Sequence, residues 1–465
     1  MALLIGNVND TILGGMGSKN FYCDETSIFG VDFNQYAGSK ATLGDRTDDA
    51  VGFRFNPCKP DDKDTKSDNT RVYQYGTDDF IINSPIFKPR ECCIHTDDLK
   101  NSDYSKIIYK DSISEESWIE KSKDSDYNVM VEFSKFYYKR PGLYKFQVSG
   151  TKHDGFECSP MHYRGGVEYD YCYISKYPIC KTYLSNASDL PLGAHSMSIY
   201  GPTAALSTVR SKIRSTYPNT LYLLDYQVWC SITMLMFIKY AEMNIFPLIP
   251  TFATNAAPDT VDYKTNGATM SIPGLDGYLT TNLATEGNKC CAAVNFGLEN
   301  WYGGVPTTID GLFIWNGSVY MANDSMSLTA NPGFTTLENT SVYTCLTPSA
   351  YADTSGYWVD FKDFTGTTTP YALLPSSVTK LTGLNKSQGD WFKLISHIQV
   401  TYATFGGSSE RNVTTDTNIV GGSHGELSYN HTVGLSCCGP LCLQMNWEAS
   451  KANPTAFRTF FVRNK

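Results

Sequence analysis

The sequence predicts an α+β protein that is rich in β-structure and contains one long buried helix. Its 31 Tyr, 24 Phe and 37 Gly are typical of strands joined by turns. Hydrophobic residues make up 41% of the chain and charged residues 18%, which excludes a disordered protein. A single long apolar run follows Asp225, whereas the other apolar segments are short. A chain of 465 residues can form two to three domains.

The N-terminal third predicts an attachment region followed by a sheet. The first thirty residues have no sustained periodicity, and we assign residues 1–75 to an N-terminal arm. Within it, Asn56–Asn69 contains two prolines and alternating acidic residues, which predicts a loop. A calcium-binding loop is the alternative, although the central Gly and terminal Glu of an EF-hand are missing. Residues 76–205 form the predicted β-rich middle domain, with strands at Tyr127–Phe133, Phe136–Tyr138, Tyr144–Val148 and Tyr169–Ile174.

Two helices open the third predicted domain, residues 206–465. A short helix is predicted over Ser207–Thr216, and a long one begins after the N-cap residue Asp225 and extends to about Asn244. The long helix is apolar nearly all round, which indicates a buried helix with Trp229 and Phe237 in the core. Further along, two alternating segments flank the dipeptide Asn316-Gly317 and predict a hairpin.

Charge and targeting signals narrow the function. A net charge of -9 and a pI near 5.3 argue against nucleic acid as a partner, because phosphates attract clustered Lys and Arg. Lys239 and Glu242 exclude a membrane-spanning reading of the long helix. The start of the chain lacks a secretory apolar region, so we expect synthesis in the cytoplasm and no membrane insertion.

The cysteines and histidines predict no catalytic or metal centre. The 14 cysteines include three adjacent pairs and no C-x-x-C spacing, which favours buried thiols and leaves disulfide bonding open. His153 and His162 lack a nearby Ser or Cys elbow, so we interpret them as loop or core residues. We therefore expect no metal, no cofactor and no enzymatic activity.

The C-terminal quarter contains the candidate contact surface. Gly421, Gly422 and Ser423 form a turn, Leu435–Trp447 is apolar and rich in sulfur, and Thr455–Val462 alternates like a strand with one buried face. Between the turn and Gly434 the sequence is rich in Tyr, Asn, Ser and His, which provide rigid contact area and adaptable hydrogen bonds.

Several motifs resemble the formylglycine-generating-enzyme-like branch of the C-type-lectin fold. They are Glu299–Val305, Ile309-Asp310-Gly311, Gly421-Gly422-Ser423 and Ala456-Phe457-Arg458. The wider pattern, over residues 27–465, is similar to bacteriophage tail and fibre structural proteins that carry this module. The chain departs from the family at His424, where the family has Trp, and at Ala456, where it has Gly.

The resemblance implies a virion protein, made in the cytoplasm of a host bacterium, with a C-type-lectin-like domain over residues 206–465. It implies contacts with other virion proteins through the N-terminal region, with a host-surface protein or glycan through loops, and assembly as a homo-oligomer, for which we expect a trimer. The receptor-binding candidates are His424, Glu426, Ser428, Tyr429, Asn430, His431, Trp447 and Glu448. The structural candidates are Trp229, Phe237, Trp301, Gly421, Gly422, Ser423, Phe457 and Arg458.

Two alternatives stay open. The first is a purely structural decoration protein of the head or tail, which would have no receptor. The second is an oxidase of the formylglycine-generating type, for which Cys437, Cys438 and Cys442 are the local candidates to hold copper. These thiols lie in an apolar stretch, where cysteines are usually unreactive, and fold similarity alone does not establish an activity.

Overall fold

A computed structural model describes the chain in separate ranges. They are residues 20–23, 28–32, 61–65, 70–74, 84–142, 145–180, 182–189, 206–240, 266–281, 292–301, 307–315, 318–322, 324–328, 343–345, 358–360, 373–375, 397–399, 418–421, 442–445 and 456–465.

The described ranges form a mixed fold with many strands and few helices, which confirms this part of the sequence prediction. The helices are α1 (Thr96–Lys100), α2 (Glu115–Lys123), α3 (Leu206–Thr216) and α4 (Tyr226–Tyr240). The strands are β1 (Asn20–Cys23), β2 (Ile28–Asp32), β3 (Asp61–Thr65), β4 (Thr70–Gln74), β5 (Arg90–His95), β6 (Ile108–Tyr109), β7 (Tyr127–Ser134), β8 (Tyr137–Gly142), β9 (Lys145–Ser149), β10 (Glu157–Cys158), β11 (Tyr163–Arg164), β12 (Val167–Glu168), β13 (Tyr171–Ser175), β14 (Tyr222–Leu223), β15 (Gly277–Thr281), β16 (Ala292–Asn295), β17 (Leu298–Glu299), β18 (Thr307–Trp315), β19 (Ser318–Ala322), β20 (Tyr343–Cys345), β21 (Trp358–Asp360), β22 (Leu373–Pro375), β23 (His397–Gln399), β24 (Asn418–Gly421), β25 (Cys442–Met445) and β26 (Thr459–Arg463).

One sheet has six antiparallel strands in the order β14-β26-β13-β7-β5-β6. Strand β26 lies inside this sheet between β14 and β13. The predicted terminal strand is therefore confirmed, but it begins at Thr459, and its predicted single buried face is wrong. Thr459, Phe460 and Phe461 are all buried, because side chains on both faces of an interior strand can be covered by other elements.

Three further sheets join distant parts of the chain. Their orders are β1-β2-β9-β8-β10, β17-β16-β15-β4-β3 and β20-β19-β18-β24-β25-β23. The first two pair strands of residues 1–75 with strands of the predicted middle and third domains, so hydrogen bonds cross both predicted boundaries. The division at residues 75 and 205 stays a prediction.

The predicted loop at Asn56–Asn69 is wrong for part of its length. Asp61–Thr65 forms β3, which pairs with β4 at the edge of its sheet and has a register shift between Asp62 and Asp64. Backbone pairing does not require apolar side chains, and charged residues are common on edge strands. Composition alone therefore gave the wrong answer here.

The long helix follows the sequence closely. The Asp225 side chain accepts a hydrogen bond from the Val228 N–H at 2.9 Å, which confirms the predicted N-cap. Inside the helix, the buried hydroxyls of Ser231 and Thr233 donate to carbonyls one turn earlier. The helix contacts β2, β9 and β18, as expected for a helix that is apolar on several sides.

Helix α3 covers one face of the six-stranded sheet. Its Val209 and Ile213 pack in one buried cluster with Tyr173 of β13 and Phe461 of β26. The spacing of the two helix residues places both on one face. The helix confirms the prediction of a helix over Ser207–Thr216. It also brings Arg210 into contact with Asp310 of β18.

Candidate functional site

The receptor-binding candidates lie outside the described residues, but the strands that flank them are described. Strands β24 and β25 are antiparallel neighbours, with Gly421 opposite Leu443 and Ile419 opposite Met445. The segment 422–441 therefore begins and ends on adjacent strands. Six candidates lie on this segment: His424, Glu426, Ser428, Tyr429, Asn430 and His431.

The other two candidates, Trp447 and Glu448, follow the opposite end of β25. The chain leaves that strand after Met445, which pairs with Ile419 rather than with Gly421. Four strand residues span roughly 10 Å. The two groups of candidates thus start from opposite ends of the same strand pair, and sequence proximity does not place them at one site.

The segment 422–441 is joined at its base to the motifs that carry the resemblance. Thr307, the first residue of β18, pairs with Gly421 and also forms a bridge with Ala456. Gly421, which was predicted to lie in a turn, is the last residue of β24 and is held by backbone pairing. Gly422 and Ser423 lie outside the described residues, and for Phe237 only the backbone is described.

Arg458 is the centre of this scaffold. It is fully buried, and its guanidinium donates to four backbone carbonyls, those of Ser175 (2.9 Å), Lys176 (2.8 Å), Asn300 (3.2 Å) and Glu299. Burial lowers the pKa of Arg458 to about 9, an effect that the nearby Glu299 carboxylate opposes. One side chain therefore ties the end of the chain to β13 and β17.

Glu299 is buried beside Arg458 and has its own set of donors. Its carboxylate accepts from the N–H of Gly267 (2.9 Å), the N–H of Thr269 (2.9 Å) and the Thr269 hydroxyl (2.6 Å). Burial raises the pKa of Glu299, while the hydrogen bonds from Thr269 act in the opposite direction. The carboxylate thus fixes the turn at residues 266–271.

An aromatic pair packs next to these charges. The rings of Trp229 in α4 and Trp301 after β17 stack with centroids 4.7 Å apart, and Arg458 lies 5.7 Å from the Trp301 ring centroid. Both tryptophans and Phe457 are buried, as predicted for structural residues. This contact holds the long helix against the Glu299–Val305 motif, which contains Trp301.

Two buried ion pairs involve the helices: one joins β11 to the N-cap residue of α4, and the other joins α3 to β18. Arg164 of β11 donates to Asp225 at 2.6 and 2.9 Å, and the Ser325 hydroxyl donates to the same carboxylate. Arg210 of α3 donates to both oxygens of Asp310, at 3.1 Å from Nε. The Ile309-Asp310-Gly311 motif is therefore a structural anchor.

A third buried pair lies under the six-stranded sheet. Lys176 pairs with Glu91, which also pairs with Lys110 at 2.6 Å. Burial lowers the pKa of Lys176 to about 8, and the Glu299 carboxylate opposes this shift. Sequence reasoning missed these charges, although Glu91 and Lys176 each adjoin an apolar run, where a charged residue indicates a buried partner.

The described thiols and histidines have the environment of packing residues. Burial raises the pKa of Cys93 and Cys158 to about 12, which leaves little reactive thiolate near neutral pH. His162 is buried between the Ser159 hydroxyl (2.8 Å) and the Phe133 carbonyl (3.2 Å). His153 lies 3.1 Å from the Ser149 hydroxyl, which already accepts from the Thr151 N–H.

Neither a metal cluster nor a membrane span is found in the part of the chain that the structure describes. No group of three or more His, Cys, Asp or Glu side chains there is arranged to hold a metal ion. No helix there has the length and apolar character needed to cross a bilayer. The chain matches no protein-family model, and a comparison with curated proteins finds no match.

Proposed function

We propose that this chain is a bacteriophage virion protein, from a tail or head fibre, that binds a host-surface receptor. In this proposal, residues 206–465 form a C-type-lectin-like module, and the segment 422–441 supplies the main receptor contacts. Trp447 and Glu448 form a separate, secondary contact. The protein acts by binding and is not an enzyme.

One observation carries the proposal: motifs far apart in sequence meet around Arg458. Its guanidinium binds the carbonyls of Glu299 and Asn300, which are 159 and 158 residues earlier in the chain. Asp310 and Gly421 are joined to the same region through β18. Each of the four resembling motifs thus has at least one residue in a single framework, which supports a common module.

The position of the segment 422–441 supports a display role. Both its ends are fixed on neighbouring strands of one sheet, so the stem is set by backbone pairing and does not depend on the sequence between them. Binding residues are often carried on loops held by a rigid scaffold. The segment also has the Tyr, Asn, Ser and His content of adaptable binding surfaces.

Alanine substitutions at Tyr429 and Asn430 test this proposal. We expect the double variant to fold normally and to adsorb to host cells at least about tenfold more weakly, because truncating a tyrosine at the centre of an interface costs about 2 kcal/mol. Tyr163→Ala is the matched control, since Tyr163 is an exposed tyrosine on the described scaffold. Equal adsorption of the double variant and the wild type would favour the purely structural decoration protein.

We further propose that the N-terminal region binds neighbouring virion proteins and that the chain forms a homo-oligomer, specifically a trimer. Sedimentation of the purified chain measures the second point directly. A trimer mass is expected, and a monomer at micromolar concentration would contradict it.

A further inference from the structure

One face of the six-stranded sheet carries a row of four paired residues. Phe461, Tyr173, Glu132 and Arg90 lie opposite one another on β26, β13, β7 and β5. Residues directly opposite on neighbouring strands point to the same face. Two positions along, Arg463 pairs with Tyr171 and lies on this face as well.

Glu132 is the buried centre of this row. Its carboxylate accepts hydrogen bonds from the hydroxyls of Tyr109 (2.5 Å) and Tyr173, and its side chain is only 4% exposed. Arg90 lies 3.8 Å from the other carboxylate oxygen and 3.6 Å above the Tyr109 ring. The negative charge of Glu132 is thus already matched by donors of the protein.

Arg463 lies beside Tyr173 and has hydrogen-bond donors that the described residues do not use. Its Nε donates to the Tyr173 hydroxyl at 2.9 Å, and its guanidinium lies 5.4–5.8 Å from the ring centroids of Tyr104, Tyr171 and Tyr173. Its terminal nitrogens have no hydrogen-bond partner among the described residues, and the side chain is partly exposed. The hydrogen bond from Nε therefore fixes the orientation of the Arg463 guanidinium, and its two terminal nitrogens are available to bind a ligand.

The two neighbouring tyrosines are partly exposed as well. Tyr104 stacks on Phe461 with ring centroids 5.0 Å apart, and Tyr171 lies beside Tyr173. Both belong to the edge of the buried cluster between the sheet and α3. An oriented guanidinium between two partly exposed aromatic rings combines an anion donor with flat apolar surface.

We propose that the partly exposed rim of this face, at Arg463, Tyr104 and Tyr171, binds the carboxylate of an acidic saccharide, with the terminal nitrogens of Arg463 as the donors. The planar fork of arginine matches a carboxylate in a bidentate manner. Tyr104 and Tyr171 offer ring faces to the C–H groups of the sugar. This surface is built from residues 90–175 and β26, and it includes no residue of the segment 422–441.

The structural role of the cluster does not use every hydrogen-bond donor of Arg463. Closing the edge of the core uses the Arg463 Nε, the tyrosine hydroxyls and the apolar part of the side chain. The terminal nitrogens of Arg463 are not needed for that purpose. A ligand carboxylate would use them without displacing any hydrogen bond made among the described residues.

Binding of the purified full chain to immobilised saccharides tests this proposal. The probes are uronate- and sialate-bearing oligosaccharides, their neutral counterparts of equal length, and a glutamate-rich peptide. We expect retention of acidic saccharides only. Arg463→Gln should weaken it by about tenfold to a hundredfold, the effect of losing hydrogen bonds to a charged group.

Three further variants distinguish recognition by the guanidinium from a general effect of positive charge and test the aromatic contact separately. Arg463→Lys keeps the charge but not the fork, and we expect an intermediate loss. Lys123→Gln removes one exposed charge from α2 and should change nothing. Tyr171→Ser removes one ring face, so binding should fall even if the Arg463 variants prove too unstable to measure.

The proposal fails if the wild type retains no acidic saccharide, if Arg463→Gln and Tyr171→Ser bind as well as the wild type, or if the acidic peptide binds equally. Changing Tyr429 and Asn430 should leave this binding intact, which distinguishes it from the proposed receptor segment.

Discussion

Replacing Arg458 with methionine removes the central tie of the scaffold while keeping much of the apolar volume. The change leaves four backbone carbonyls without their charged donor. Hydrogen bonds to charged groups contribute roughly 1.5–3 kcal/mol each, so the gross loss is about 6–12 kcal/mol. Leaving the guanidinium out also removes its desolvation cost, which amounts to several kcal/mol.

The net effect expected for Arg458→Met is a loss of about 3–5 kcal/mol in the free energy of unfolding, the range seen when one partner of a buried charged network is removed. Equilibrium urea unfolding, followed by tryptophan fluorescence, measures it, because Trp229 and Trp301 stack next to Arg458. Arg458→Lys should recover part of the loss, since one ammonium reaches fewer carbonyls than the planar fork.

Lys123→Met is the control, because the Lys123 side chain is exposed at the end of α2. We expect it to cost about 1 kcal/mol or less. A cost for Arg458→Met no greater than that of the control would refute the view that Arg458 holds the scaffold together.

Three other substitutions test separate parts of the fold. Burial lowers the pKa of His162 to about 3, so stability from its neutral form is present above about pH 6.5 and is lost as pH falls towards 3. His162→Gln should reduce the loss between pH 7 and pH 5 by about 2 kcal/mol, and an unchanged pH profile in urea unfolding would contradict this. Trp229→Ala should cost about 3–5 kcal/mol, as core truncations do; unaltered thermal melting would show that the helix is not buried. Gly267→Ala places a Cβ 2.5 Å from the Ala187 carbonyl oxygen and should cost about 3 kcal/mol. Gly166→Ala shares the positive φ but has open space, so an equal cost would argue against the clash.

The elements that could be predicted from sequence are those with a strong local signal. The N-cap residue Asp225 and the apolar run after it predict α4 closely. The Asn316-Gly317 dipeptide predicts the pairing of Trp315 with Ser318, which the structure confirms. Local patterns succeed here because capping and turn chemistry act within a few residues.

The elements that could not be predicted depend on partners far away in sequence. Asp61–Thr65 forms a strand because β4 pairs with it, and β4 is in turn paired with β15, more than 200 residues further on. The buried charged networks around Arg458 and Glu132 could not be predicted for the same reason. Their partners come from separate strands, so a single segment does not reveal that a buried network will form.

The sequence predicted two groups of site residues, and the structure describes only the structural group. Trp229, Trp301 and Arg458 are buried around one centre, and Phe457 is buried in the cluster between the six-stranded sheet and α3, as expected for structural residues. The receptor-binding residues stay a prediction, because they lie outside the described part of the chain. The strand pair β24–β25 adds what sequence did not indicate, namely that Trp447 and Glu448 follow the end of the pair opposite to the segment 422–441.

Electron cryomicroscopy of the assembled particle, with the segment 422–441 located through strands β24 and β25, is the most direct test of the proposed receptor-binding function. We expect this segment to face outward from the virion and the N-terminal strands to lie against neighbouring virion proteins. A segment buried between virion subunits, with the N-terminal region outermost, would contradict the proposal.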